Sequence, residues 1–245
     1  MDGYAFCKTK HPADEQQSYE TAIAENPANG PASRTGGRKK RGIVVRSRLW
    51  KPGRTLHIAF KKGTPKLLQD KVMSVARQWL AHANLKFELI DMWDNAEIRV
   101  VLHPYGTGLN SSAIGTDALL DKGATMELSP QAGDEFNYCI LHEFGHALGL
   151  DHEHQHPDSP IIWNLTRLFA FAEKKGVSDA DIEKNFLTLT ERPEALTTPY
   201  DMRSVMHYKI PAELTLQDFT AAGSNALSEG DKAMARLAYP GKALD

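Results

Sequence analysis

The sequence predicts an α+β fold, in which a sheet and several helices share a core. Three short segments have the apolar pattern of half-buried strands: 55–60, 85–89 and 98–102. Between the first two, apolar residues recur at helical spacing from Thr64-Pro65, a favourable cap and first turn, to about His82. Another helix is predicted around 138–147, because its apolar residues gather on one face.

The remaining elements are shorter. Residues 111–128 predict two strands joined by a Gly-containing loop, and the apolar run 161–163 is expected to pack in a second part of the fold. Ser178 and Ser228 each begin a capped helix, and Pro240-Gly241 ends the second of them.

Size and composition fit a globular protein with a sizeable core. The 245 residues suit one large domain or two lobes, and 24% charged with 41% hydrophobic residues are ordinary values. A net charge of −2 gives no sign of a nucleic-acid or anionic-membrane partner. No apolar run approaches the roughly 20 residues that cross a bilayer. We therefore expect a monomer with no nucleic-acid partner and no membrane span.

Residues 1–42 differ from the rest, being rich in Gly, Pro, Ala, Asn and Ser. They predict an N-terminal pro-segment or flexible linker, with a short helix over 13–25, ahead of a domain at 43–245. The basic run 38–41, RKKR, has three interpretations. It is a solvated flexible stretch, a processing site that releases residues 1–41, or a nuclear-targeting signal.

The strongest chemical signal is the sequence HEFGHALGLDH. His142 and His146 lie four residues apart, so a helix places both imidazoles on one face, where they can hold a zinc ion. Glu143 lies between them and can reach a zinc-bound water. A positive φ at Gly149 would end the helix and bring His152 to the metal as a third ligand. Three protein ligands leave a position open, as in catalytic zinc sites.

The histidine run continues past the motif. His154 and His156 follow the third ligand, and we interpret them as groups around the site or on the surface. On the zinc helix itself the apolar residues lie opposite the histidines and suit a core. These residues are Phe136, Ile140, Phe144 and Ala147.

A second stretch, PYDMRSVMHY at 199–208, identifies a family resemblance. Its last five residues resemble the S-x-M-H-Y turn of the astacin family of zinc endopeptidases, within the metzincin clan. A glutamate directly after the third histidine, here Glu153, is a further point of resemblance to that family. The resemblance implies that Met206 forms a floor under the zinc. It also implies that Tyr208 is a displaceable zinc ligand that swings away to donate a hydrogen bond to the transition-state oxyanion.

The resemblance further implies a zincin-like, two-lobed α+β protease domain. Its upper lobe, about 43–149, would hold a twisted mixed sheet with the zinc-binding helix above the cleft. Its lower lobe, about 150–245, would be mostly irregular with helices. The strand before the zinc helix would lie at the sheet edge and pair with an extended substrate. The residues expected to bind substrate there are Ser112, Ala113, Ile114 and Gly115.

The predicted function is that of a zinc-dependent endopeptidase with one Zn²⁺ per chain, acting on protein or peptide substrates. Glu143 would serve as general base and then acid. Arg203 would favour an acidic side chain just after the scissile bond, unless it is an exposed arginine without a role. A zinc-binding peptide-recognition module without catalysis and a zinc amidase are the alternatives.

Cysteine usage bears on latency and on compartment. The Cys7 thiolate could occupy the open zinc position and make the chain a zymogen, with Asp2 and Asp14 as alternative blocking residues. Cys7 could equally be an incidental thiol or form a bridge to Cys139. The family resemblance implies secretion. The N-terminus has no signal-peptide pattern, so cytoplasmic location and non-classical export stay open.

Overall fold

A mixed sheet of six strands lies at the centre of the computed structural model, which describes residues 6–30, 48–174, 176–188 and 198–241. Its strands are β1 (Phe6–Lys10), β2 (Thr55–Phe60), β3 (Lys86–Leu89), β4 (Ile98–Leu102), β5 (Leu109–Ala113) and β6 (Met126–Leu128). They lie in the order β1-β5-β6-β4-β2-β3. The β5–β6 pair is antiparallel and the other pairs are parallel. The predicted strands are therefore confirmed, with small shifts of their ends.

Six α-helices accompany the sheet in the described residues. They are α1 (Glu15–Glu25), α2 (Lys66–Ala76), α3 (Glu135–Ala147), α4 (Leu165–Lys174), α5 (Asp179–Ile182) and α6 (Glu229–Ala238). A 3-10 turn, Arg77–Ala81, carries α2 on to its predicted end near His82. The helix predicted from Ser178 continues past α5 as the π-helical turn Glu183–Leu187. None of these helices is long and apolar enough to cross a membrane.

Helix α4 was not predicted from the sequence. Asn164 caps it, because its side-chain oxygen accepts a hydrogen bond from the Arg167 amide at 3.2 Å. Leu168 and Ala172 are buried on its inner face. A cap residue followed by apolar residues four apart was the signal available in the sequence.

Two hydrophobic clusters build the core. The first packs α2, α3 and α6 against the sheet around Trp50, Trp79 and Phe144, all fully buried. The second joins α4 and α5 to residues 208–221. Ile161 and Trp163 of the predicted apolar run pack against it, whereas Ile162 is exposed. Helix α6 contributes Met234 to the first cluster, so this last helix packs with the sheet and not with the second cluster. The boundary between lobes near residue 150 stays a prediction.

The described part of the N-terminal segment packs on the domain. Strand β1 pairs in parallel with β5, with Cys7 opposite Asn110 and Thr9 opposite Ser112. The predicted helix at 13–25 is confirmed as α1, capped by the Asp14 carboxylate. The basic run at 38–41 and Asp2 lie outside the described residues.

Buried polar groups hold α1 against the domain. Ser18 donates a hydrogen bond of 2.5 Å to Asp117, which also forms an ion pair of 2.8 Å with the buried Arg48. The Asn29 side chain donates to the carbonyl oxygen of Leu49 at 2.8 Å and accepts from its amide at 3.3 Å. Together these buried contacts fix one position for the segment.

Candidate metal centre

Helix α3 places two of the histidines, and the turn after it places the third. Gly149 adopts φ +87, the left-handed conformation predicted to end the helix. The Leu150 amide donates to the carbonyl of Gly145 at 3.0 Å, and the Gly149 amide donates to that of His146 at 2.7 Å. The chain therefore reverses within three residues and brings His152 back to the helix.

The three imidazoles present their Nε2 atoms to one point. His146 Nε2 lies 3.2 Å from His142 Nε2 and 3.1 Å from His152 Nε2. Two nitrogens bound to a tetrahedral zinc at its usual bond length stand about 3.3 Å apart. The spacing of the nitrogens therefore fits a zinc ion.

Backbone carbonyls orient the two helical histidines. His142 Nδ1 lies 2.7 Å from the carbonyl oxygen of Val205, and His146 Nδ1 lies 2.7 Å from that of Leu150. A carbonyl can only accept, so each Nδ1 carries the proton and each Nε2 keeps its lone pair for a metal. Burial lowers the pKa of His142 to about 4 and those of His146 and His152 well below their usual value. All three are neutral, the form that binds metals.

Cys7 completes the ligand cluster. Its sulfur and one nitrogen from each of the three histidines all lie within 4.8 Å of one another, and all four residues are buried. Cys7 and Cys139 are free cysteines, so no bridge joins them here. Burial raises the pKa of the Cys7 thiol well above its usual value, whereas a bound zinc ion would stabilise its thiolate. Asp14, the alternative blocking residue, instead caps α1 at an exposed position.

Glu143 lies beside this cluster and is fully buried. Among the described residues neither carboxylate oxygen has a nitrogen or oxygen hydrogen-bond partner, and the Cys7 thiol is its polar neighbour. Burial raises the pKa of Glu143 to about 8, against a smaller lowering by Cys7. A buried carboxyl group with a strongly shifted pKa beside a cluster of metal-ligating side chains is typical of a catalytic acid–base residue.

Met206 lies directly beneath α3. A Cβ at Gly145 would overlap the Met206 sulfur, so the glycine makes the close approach of the turn possible. Asp231 at the start of α6 holds the turn, accepting from the Ser204 hydroxyl at 2.6 Å and from the Val205 amide at 3.0 Å. Asp231 also completes the cap that Ser228 begins, so one carboxylate serves both the helix and the turn.

Glu153 connects the third histidine to the same turn. Its amide donates to the Met206 carbonyl at 3.0 Å, and its side chain accepts from the Asp201 amide at 2.7 Å. Burial raises the pKa of Glu153 to about 8. Arg203, in the same turn, is exposed, and its role in specificity stays a prediction.

Tyr208 lies against the histidines. Its ring centroid is 4.3 Å from that of His152 and 4.2 Å from that of His154. Its hydroxyl donates a hydrogen bond of 2.5 Å to the carbonyl oxygen of Cys7. The role of Tyr208 as a zinc ligand stays a prediction.

The strand expected to bind substrate is paired with the chain itself. Ser112 and Ala113 belong to β5 and lie opposite Thr9 and Lys10 of β1. Ile114 and Gly115 follow the strand, where a 3-10 turn, Gly115–Leu119, begins. Binding of substrate along β5 therefore requires that β1 leave.

The two further histidines are buried, not on the surface. His154 Nε2 lies 2.7 Å from the carbonyl oxygen of Asn185, and His156 Nε2 lies 3.1 Å from that of Thr198. Neither belongs to the ligand cluster found among the described residues. Asn185 itself was not singled out in the sequence, and it contacts β1.

Comparison with known proteins agrees with this geometry. The profile of Astacin, a peptidase family, matches residues 43–221, which confirms the resemblance. The zinc metalloproteinases nas-36 of Caenorhabditis briggsae and of Caenorhabditis elegans are each 41% identical over 69 residues. That match covers 28% of this chain and 10% of either relative, so this chain corresponds to about a tenth of their length.

Solved structures agree as well. One structure of myroilysin is 31% identical, with TM-score 0.75 over 82% of this chain and 100% of its own. A second, the crystal structure of myroilysin, is 27% identical, with TM-score 0.64 over 98% of this chain and 92% of its own. The hatching enzyme HCE-1 from Oryzias latipes, a zinc-protease, is 18% identical, with TM-score 0.52 over 79% of this chain and 94% of its own. At that identity it supports the two-lobed α+β fold alone.

Proposed function

Because the chain belongs to the astacin family of zinc metalloendopeptidases, we propose that it hydrolyses peptide bonds within proteins or peptides, using one zinc ion per chain. The observation that carries this proposal is the convergence of three neutral imidazole nitrogens beside a buried carboxylate. His142, His146 and His152 would hold the metal. A peptide-recognition module without catalysis would have no use for Glu143 at this position.

Glu143 and Tyr208 have different roles in the proposed reaction. When bound, zinc supplies Lewis acidity, which acidifies water and polarises a carbonyl group. Glu143 takes the proton of the attacking water and passes it to the leaving amine. Burial raises its pKa, which favours uptake of the proton from the attacking water. Tyr208, once free of the Cys7 carbonyl, donates its hydrogen bond to the oxyanion.

We further propose that the N-terminal segment makes the chain a zymogen. Three groups needed for catalysis are engaged by β1: the ligand cluster by Cys7, the Tyr208 hydroxyl by the Cys7 carbonyl, and strand β5 by backbone pairing. Cleavage in the basic run at 38–41 would release residues 1–41. This arrangement supports latency by Cys7 over an incidental thiol.

Zinc content and casein cleavage, measured with and without a chelator, test both proposals. We expect the full chain and a chain beginning at Gly42 to hold one zinc each and only the shorter one to cleave. If the untreated full chain already cleaves casein and a chelator abolishes this cleavage, the proposed protease activity stands and the proposed latency is wrong. Zinc without cleavage of casein in either chain would favour a binding module, or an amidase if small amides are hydrolysed.

A further inference from the structure

Asn185 lies on the side of β1 opposite strand β5. Its side-chain oxygen accepts two hydrogen bonds from Thr9, one from the backbone amide at 3.2 Å and one from the hydroxyl at 2.8 Å. A backbone amide occurs in every residue except proline. The first of these contacts therefore does not depend on the side chain at position 9.

The protein fixes the orientation of this amide. Asn185 is 1% exposed, and its Nδ2 donates to the carbonyl oxygen of Asp181 at 2.9 Å. Its own carbonyl lies 2.7 Å from His154 Nε2. With the nitrogen end engaged by Asp181, the oxygen end must face β1. Asn185 is thus a preorganised acceptor directed at β1.

Asn185 and Tyr208 contact the same edge of β1. Tyr208 donates to the carbonyl of Cys7, and Asn185 accepts from the amide of Thr9, two residues later. In a strand, the backbone groups of residues i and i+2 point to the same side. One donor and one acceptor therefore serve β1 as a neighbouring strand would, although neither belongs to a strand. A peptide strand of either direction presents carbonyls and amides alternately along each edge.

We propose that Asn185 is a substrate-binding residue. After β1 leaves the cleft, its Oδ1 accepts a backbone amide of an extended polypeptide whose carbonyl lies at Tyr208. The substrate is then held on both edges, by β5 on one side and by Asn185 on the other. A buried acceptor left without a partner is costly, so the site favours a ligand that restores the bond. This inference rests on the proposed function, since it assigns the substrate of the same cleft.

The test uses the full chain after immobilised trypsin has cut the basic run at 38–41, with the mass of the product checked. A quenched peptide without Lys or Arg is compared with analogues in which one backbone amide at a time is replaced by an ester oxygen. In the wild type we expect two groups of sensitive positions. One group consists of every second residue of the peptide, those whose amides face β5. The other is one residue that lies between two of these, and its amide faces Asn185.

Variants assign that single position. Asn185→Ala should raise KM for the all-amide peptide about five- to tenfold with kcat nearly unchanged, because the bond binds ground and transition states alike. In Asn185→Ala, an ester at that single position should no longer raise KM, whereas esters at the positions that face β5 should act as in the wild type. Thr188→Ala, which removes a side-chain bond to Glu183 in the same turn, is the matched control and should leave both unchanged.

Two results would overturn the inference. One is the absence of any ester-sensitive position of opposite parity in the wild type, which decides the matter even if Asn185→Ala does not fold. The other is a folded Asn185→Ala chain with the wild-type KM and ester profile. If the trypsin-treated wild type shows no chelator-sensitive cleavage, the proposed function fails by itself. Affinity for the same peptides, measured by fluorescence anisotropy, then tests Asn185: weaker binding in Asn185→Ala supports it, and equal or no binding contradicts it.

Discussion

The hydroxyl of Tyr208 donates a 2.5 Å hydrogen bond to the carbonyl oxygen of Cys7, the residue whose thiol lies among the three histidines. One residue of the N-terminal strand therefore engages both the metal cluster and the hydroxyl proposed to stabilise the oxyanion. In the proposed latency, blocking of the metal and withdrawal of the tyrosine are therefore a single event, which release of β1 would reverse.

Cys7→Ala in the full chain should raise its basal cleavage of casein. The change removes the sulfur from the cluster but leaves the pairing of β1 with β5, so activation is partial. Each 1.4 kcal/mol taken from the closed state multiplies the open population by about ten, and we expect a rise of at least about tenfold. Cys139→Ala, which removes the other buried thiol, is the control. Equal basal rates in the wild type and in Cys7→Ala would contradict latency by Cys7.

Glu143→Gln should keep the zinc and lose turnover. General acid–base catalysis contributes about 10²- to 10⁴-fold, and kcat for a peptide substrate should fall by that factor. Zinc content, measured on the same samples, should stay at the wild-type level because Glu143 is not in the ligand cluster. Glu173→Gln on the exposed side of α4 controls for loss of a charge. Wild-type turnover in Glu143→Gln would remove Glu143 from the mechanism.

Gly145→Ala should destabilise the protein by roughly 1–3 kcal/mol, because the new methyl group would overlap Met206 and approach Trp79 to 3.3 Å. We expect a lower urea midpoint and reduced retention of zinc, since Met206 supports the helix that carries two ligands. Gly123→Ala is the matched control: its nearest neighbour would lie 3.5 Å away and its φ is not positive. The packing argument fails if the two variants are equally stable.

Acid should weaken the contact between β1 and the sheet. Burial raises the pKa of Glu127, but hydrogen bonds from Lys10 and His103 outweigh it, so the pKa lies below the ordinary 4.5. A carboxylate with a lowered pKa stabilises the fold above the unfolded value, and that stability is lost as pH falls through the folded value.

Urea unfolding of wild type and Glu127→Gln between pH 3 and 7 measures this effect. The wild type should be more stable near pH 6, and the difference should shrink below about pH 4.5. A difference that stays constant, or grows, toward low pH would show that the ionised Glu127 does not stabilise the fold through its contacts with Lys10 and His103.

The sequence could predict that the three histidines come together because they lie within eleven residues and local backbone geometry brings them together. A helix places His142 and His146 on one face, and one glycine turns the chain back to His152. The same reasoning placed β2, β4 and α2, whose periodicity is strong. It assigned no helix at α4, although a cap residue and an apolar face are present there.

Contacts between distant parts of the chain carry no such local signal. Asn185 and Thr9 meet across 176 positions, and nothing in the residues around either one indicates the other. Asp231 resembled an ordinary capping residue, and its hold on the turn at Ser204 follows only from the packing of α6. Cys7 could be proposed as a blocking ligand from its chemistry, whereas its place opposite Asn110 depends on the pairing of β1 with β5.

X-ray absorption at the zinc edge of the full chain tests the central claim most directly. If the N-terminal strand holds the metalloendopeptidase latent, the zinc of the wild-type chain has one sulfur and three nitrogen neighbours, and that of Cys7→Ala has nitrogen and oxygen neighbours alone. A wild-type spectrum without sulfur would show that Cys7 does not bind the metal and would contradict the account of latency.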